Sequence, residues 1–256
     1  VADNKSIAEV FCINMNKPEL NPEICTFCAE LAGMVQNSNY FRLAGHDAKS
    51  RIFWRNDEFA LLPSLGPLTE GHSLLIPTHH TLSFANLPQN ALSSTEYLTA
   101  SVKKYFSEQK RQVLVFEHGS VVLSDCDYER RMKKAMCGAC TDHAHLHIVP
   151  NVSAQLIISA IEKISIYTKT TAIKNLRDLR EIIDPKFAYI LIGGSDSESW
   201  LVFTSEYVPS QFMRKLVASS IGLTEWDWRQ SPHIDLVQKS IQEIGLYLNK
   251  WLKSNY

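Results

Sequence analysis

Net charge is nearly absent from this chain of 256 residues: 26 lysines and arginines stand against 27 aspartates and glutamates, a formal charge of −1. A chain so balanced offers no general polyanion-binding surface, so nucleic acid is not an expected partner. It has no apolar run near the ~20 residues of a spanning helix, and its first residues lack the basic-then-apolar pattern of a secretory signal. Together these absences predict a soluble, cytoplasmic chain without membrane contact. No repeat or low-complexity tract is visible. Cysteine is scarce, at six, and four of the six form Cys25/Cys28 and Cys137/Cys140 pairs with two residues between. That usage fits metal binding in a reducing compartment better than a disulfide framework. Cys12 and Cys126, standing alone, read as small buried hydrophobes. With 45% hydrophobic residues, the chain exceeds one minimal domain and can bury a sizeable core.

What is present is chemistry concentrated in one short run. In His143-Ala144-His145-Leu146-His147-Ile148, residues two apart point to the same side of an extended strand, so three imidazoles share one face while Ala144, Leu146 and Ile148 supply a core-facing side. A neutral imidazole is a nucleophile near physiological pH; its attack on phosphorus gives a phosphoramidate that water or another acceptor later cleaves. The attacking nitrogen must then be free and the other ring nitrogen held by an acceptor. His147 is the candidate donor to the phosphate or the leaving group.

Three motifs occur in a fixed order: Cys25-Thr26-Phe27-Cys28, the segment Gly71-His72-Ser73-Leu74-Leu75-Ile76-Pro77-Thr78-His79-His80, and the alternating histidines. Over about residues 22 to 151 this order resembles the histidine triad (HIT) superfamily. The resemblance implies an antiparallel half-barrel with flanking helices, in which the middle histidine, His145, attacks the α-phosphorus of a nucleotide. It places substrate near His72, Ser64, Glu117, His118, Cys140 and Thr141, and it implies structural Zn2+ held by Cys25, Cys28, His80 and His143. A second ligand set remains open from spacing alone, Cys25, Cys28, Cys137 and Cys140, all thiolates. Two positions depart from the hydrolytic pattern: Ser64 stands where a ribose-binding Asp is usual, and Phe116-Glu117-His118-Gly119 replaces a segment with Asn. The Phe-Glu start and Gly138 look more like the galactose-1-phosphate uridylyltransferase branch, although His147 departs from that branch. A nucleotide phosphoanhydride or phosphoramidate hydrolase is therefore expected. A nucleotidyltransferase or phosphorylase, and a non-catalytic zinc-stabilised nucleotide-binding module, are the alternatives.

The expected fold is α+β, with residues 1–155 as the HIT-like catalytic domain carrying the zinc arm and 156–256 as a helical and two-strand extension packed on it. A short helix is expected from Ser6. Strands are expected over 51–54, 59–62, 73–76 and 112–116, with a helix over 90–109. Arg130, Arg131, Lys133 and Lys134 form a charged cluster close in sequence to the histidines, read first as a solvated face. In the extension, helices are expected over 156–164 and 173–183, strands over 187–192 and 200–204, and a last helix over 234–252. The extension would supply a second layer in place of a partner subunit, giving a monomer or a homodimer. A helix opening after Ser210, its expected cap, would bring Arg214 to a phosphate. Trp228 or Arg229 would hold the remainder of the ligand, while Trp226 and Trp228 read first as core anchors, with Arg229 paired to Asp227.

Overall fold

The computed structural model describes residues 20–45, 48–119, 143–164, 167–184 and 187–255. The expected helix from Ser6, the charged cluster at Arg130 to Lys134, and Cys137, Cys140 and Thr141 lie outside these residues. The described chain opens with two short helices. The first, α1 (Thr26–Leu31), starts at Cys25, whose sulfur accepts from the Cys28 N–H; the second, α2 (Asn39–Ala44), is capped by the Ser38 hydroxyl and closed at Gly45. Three strands follow, β1 (Trp54–Arg55), β2 (Phe59–Pro63) and β3 (Ser73–Pro77). Every residue of β2 and β3 is buried. Alternation sends Leu61 and Leu75 to one face and Ala60, Leu62, Leu74 and Ile76 to the other, so both faces of this sheet are covered. The strand expected at 51–54 begins only at Trp54; Arg51 instead turns inward to Glu30.

A long helix, α3 (Gln89–Glu108), buries Leu92, Leu98, Val102 and Phe106 against the sheet, each stabilising by about 1.5–3 kcal/mol. It leads into β4 (Val113–Gly119), and β5 (Leu146–Pro150) lies between β4 and β3. Of the three histidines only His147 is within the ladder. His143 and His145 precede it in non-ladder backbone, where the Ala144 N–H donates to the Thr81 carbonyl at 2.6 Å.

The remaining elements are α4 (Ala154–Glu162), β6 (Lys169–Ile173), α5 (Leu179–Ile182), β7 (Ala188–Gly194), β8 (Trp200–Ser205), α6 (Phe212–Ser220), α7 (Ile234–Ser240) and α8 (Leu246–Asn255). They join the first half edge to edge: the sheet has eight strands in the order β1-β2-β3-β5-β4-β7-β8-β6, all antiparallel. The extension thus lengthens the sheet, where a separate second layer was expected. The physical reason is β4, buried on both faces, whose outer backbone groups need a partner; β7 supplies it from Leu114 opposite Gly194 to Gly119 opposite Tyr189.

The helix expected over 173–183 is also corrected. Lys169–Ile173 pairs with β8 as a strand, and only a 3-10 turn (Leu176–Asp178) and the four-residue α5 follow. The run of β-branched residues before Ile173 satisfies the edge of β8 instead. The last helix is interrupted between α7 and α8 by a π turn (Ile241–Gly245). Gly245 packs on Phe53 there so closely that a Cβ would lie 2.8 Å from the Phe53 Cβ. One face of the sheet packs on α3 and α8, the other on α4 and α6. Among the described residues no helix is long and apolar enough to cross a membrane.

Candidate active site and metal cluster

His145 and His147 meet in a cleft of about 630 Å³. The α1 arm contributes Thr26 and Phe27, the turn after β2 contributes Ser64, β3 and β4 contribute Leu74, Phe116 and His118, and the extension contributes Gln211, Met213, Arg214 and Trp228. None of the described lining residues is acidic; Arg214 is cationic, while the charge of Arg51 is balanced by the buried Glu30. The field in the cleft therefore favours an anionic ligand.

Hydrogen bonds determine which nitrogen of each ring carries the proton. His145 Nδ1 lies 2.8 Å from the His143 carbonyl, an acceptor only, so Nδ1 carries the hydrogen and Nε2 keeps its lone pair. Burial lowers this ring's pKa to about 4, which leaves it neutral at physiological pH. His72 Nδ1 accepts from the Leu68 N–H at 3.1 Å, so its Nε2–H donates to His147 Nδ1 at 2.9 Å. His147 is thereby left with its proton on Nε2. Burial holds both rings well below the ordinary histidine pKa, with the Arg214 charge acting next on His72 and the His145 ring on His147. Phe116, opposite His147 across β4 and β5, stacks flat on its ring at 4.4 Å. The site thus pairs an unprotonated nitrogen on His145 with a protonated one on His147.

Beside the cleft, Cys25, Cys28, His80 and His143 bring their ligand atoms within 4.8 Å of one another, all four residues buried. Cys25 Sγ and Cys28 Sγ lie 3.5 and 3.6 Å from His143 Nδ1, and Cys28 Sγ lies 3.3 Å from His80 Nδ1. A tetrahedral ion with metal–sulfur bonds of ~2.3 Å and metal–nitrogen bonds of ~2.0–2.1 Å spaces its sulfur and nitrogen ligands about 3.5 Å apart. These four residues fit such an ion. The His143 Nε2–H donates to the Pro77 carbonyl at 3.0 Å, which turns the Nδ1 lone pair toward the sulfurs. Hydrogen bonding between the two cysteines pulls the Cys28 thiol down and pushes Cys25 up, so Cys28 is the more readily deprotonated of the pair. The set expected with Cys137 and Cys140 falls outside the described residues. Phe27, between the cysteines, sits 5.6 Å from both the His143 and the His145 rings, so the arm that would carry a metal also walls the cleft.

Other expected residues are placed differently. Glu117 faces away from the cleft, because along β4 it alternates with Phe116 and His118. Its carboxylate is 1% exposed, accepts from the Phe84 N–H at 2.8 Å and the Tyr189 hydroxyl at 2.5 Å, and is pushed up to about 7 by burial. Ser64 and Arg214 both line the cleft and touch: Arg214 Nη1 donates to Ser64 Oγ at 3.2 Å, Nε to the Trp226 carbonyl, and Nη2 to the Gly66 carbonyl. Arg214 therefore joins the extension to the turn after β2. Arg229 is not among the lining residues; its guanidinium lies 5.1 Å over Trp228. Trp226 packs at the periphery of the core beneath α6. The helix α6 starts at Phe212 with Gln211, rather than Ser210, in the N-cap position.

Sequence reasoning missed Arg51, Phe27 and Asn39 as lining residues. Arg51 is 1% exposed and forms a two-pronged ion pair with Glu30 at 2.8 and 2.9 Å. No sequence signal separates it from a surface arginine, since its partner lies 21 residues away on α1.

Residues 55–157 match the family described as protein similar to CwfJ C-terminal, a span from β1 into α4. No curated protein sequence matches. Among solved structures, a zinc-bound histidine triad family protein from Mycobacterium smegmatis aligns at 18% identity and TM-score 0.34, over 52% of this chain and 78% of that one. A Hit-like protein involved in cell-cycle regulation from Bartonella henselae aligns at 15% identity and TM-score 0.31, over 50% and 76%. Yeast Ap4A phosphorylase aligns at 13% identity and TM-score 0.39, over 79% of each chain.

Proposed function

We propose that this HIT-like protein is a nucleotide-processing enzyme that works through a covalent nucleotidyl group on His145. The observation that carries the reading is the tautomer: the His143 carbonyl holds Nδ1–H, and Nε2 is left with its lone pair in a cleft lined by two arginines. In the first step Nε2 attacks phosphorus, the bond from phosphorus to the leaving oxygen or nitrogen breaks, and the leaving atom takes the electron pair. His147 Nε2–H, aligned by His72, donates to a phosphate or leaving-group oxygen as charge shifts. In the second step an acceptor oxygen attacks phosphorus, and the phosphorus–nitrogen electron pair returns to Nε2. With water as acceptor the enzyme is a hydrolase. With phosphate or another phosphorylated acceptor it is a phosphorylase or transferase, built from the same residues.

Cys25, Cys28, His80 and His143 would hold Zn2+ in a structural role, tying the α1 arm to the sheet and setting the position of Phe27 against His145. The partner is a nucleotide or a nucleotide-like phosphorylated small molecule.

The test is a screen of nucleotide esters, dinucleoside polyphosphates, aminoacyl-nucleotides and nucleotide sugars, with mass spectrometry of products and of trapped protein. A nucleotidyl adduct on the peptide containing His145 is expected, and His145→Ala is expected to lose at least about 10³-fold in rate while keeping its fold. A folded His145→Ala protein that retains most of the parent's rate would sink the nucleophile assignment. Binding of nucleotides with no turnover of any compound would favour the non-catalytic binding module.

A further inference from the structure

Gln211 lines the cleft with His145 and Arg214, at the residue preceding α6. Its backbone is left-handed, with φ 57° and ψ 17°, a conformation that costs a side-chain-bearing residue energy and persists where surrounding contacts impose it. The residue is 5% exposed. Its Nε2 donates to Asp227 Oδ1 at 2.7 Å, and Asp227 Oδ1 also accepts from the Arg229 N–H at 3.0 Å. Because a carboxylate oxygen stands there, the amide nitrogen must face it, and Oε1 must face the other way. Oε1 is buried without a hydrogen-bond partner among the described residues. A buried carbonyl left unpaired is unfavourable, and a residue strained in backbone and fixed in side chain has no local reason to leave it so.

We propose that Gln211 is a specificity residue: when a nucleotide enters the cleft and displaces the groups that cover Oε1, that oxygen accepts a hydrogen bond from an N–H or O–H group of the ligand, a sugar hydroxyl or an exocyclic base amine. This inference rests on the cleft being a nucleotide site. A neutral acceptor suits the place, because a second carboxylate beside Asp227 would repel it and would weaken the field that Arg214 offers to phosphate. Discrimination of this type is strong, since a ligand lacking the donor leaves the carbonyl buried and unpaired.

The test measures calorimetric Kd values of AMP, 2′-deoxyAMP, 3′-deoxyAMP and IMP for the full chain, for Gln211→Gly and for Asp227→Ala. Glycine accepts the left-handed backbone, so Gln211→Gly is expected to keep the fold. The parent should bind AMP at least about tenfold more tightly than one of the analogues. A loss with a deoxynucleotide assigns the donor to that hydroxyl, and a loss with IMP assigns it to the base amine. In Gln211→Gly the ratio should collapse to within about twofold, and Asp227→Ala, which frees the amide to turn, should shrink it part of the way. A ratio that survives Gln211→Gly, or a parent that binds all four nucleotides within about twofold, overturns this inference alone. A parent that binds none of the four overturns the nucleotide reading and this inference with it.

Discussion

Glu117 shows how one carboxylate acts on the whole fold without entering the cleft. Burial raises its pKa from 4.5 to about 7, against the opposing pull of the Tyr189 hydroxyl and the Phe84 N–H. Between pH 4.5 and 7 the folded protein holds on Glu117 a proton that the unfolded chain has released, so this residue's contribution to stability falls as pH rises through that window. Above pH 7 the penalty is constant, on the order of 3 kcal/mol. The buried His72, His118, His145 and His147, held below the ordinary histidine pKa, act in the opposite direction and are common to parent and variant. Glu117→Gln keeps an acceptor for Phe84 and can donate to the Tyr189 oxygen, so it should remove the Glu117 share alone. Urea denaturation from pH 4.5 to 8 is expected to show the stability of the variant minus that of the parent rising up to about pH 7 and then levelling. A difference that stays flat over that window would show that Glu117 titrates normally.

At the scale of elements, the α1 arm carries the most leverage for its size. The four residues from Cys25 to Cys28 present two sulfurs to His80 and His143 and one aromatic ring to His145. Bound metal would contribute directly to folding, since the unfolded chain has no preformed site. Cys25→Ser is expected to lose most of the bound zinc and to lower Tm by roughly 10 °C, the shift that about 4 kcal/mol produces in a chain of this size. Metal analysis and differential scanning calorimetry check both. Full zinc occupancy in Cys25→Ser would show that the ion sits on other ligands.

Across the whole molecule, the junction of β4 with β7 makes the two halves of the chain one sheet. Removing residues 156–256 would leave the outer edge of β4 unpaired and uncover Leu114, Phe116 and Val149, which pack against α4 and α6. That fragment is expected to aggregate or to lack a cooperative unfolding transition, whereas the full chain melts in one step. A fragment ending at residue 155 that melts cooperatively as a soluble monomer would show that the extension is an independent layer.

Local patterns in the sequence determined what local physics controls. The short apolar runs of β2 and β3, the alternation from His143 to Ile148 and the stripe of α3 are local patterns, so these strands and this helix were legible in the sequence. Two expectations failed: the strand Lys169–Ile173, set by pairing with β8, went unforeseen and the helix expected from Ile173 shrank to a turn and four residues, and Ser210 looked like a cap where the backbone turns one residue later. The tertiary structure alone decided that Glu117 faces the opposite side from His147, that Arg214 reaches Ser64 across 150 positions, that Arg51 pairs with Glu30, and that Gln211 lines the cleft. Those outcomes depend on which strand lies beside β4 and where α6 docks. Such long-range pairings are selected by burial of the whole sheet, and no local pattern records them.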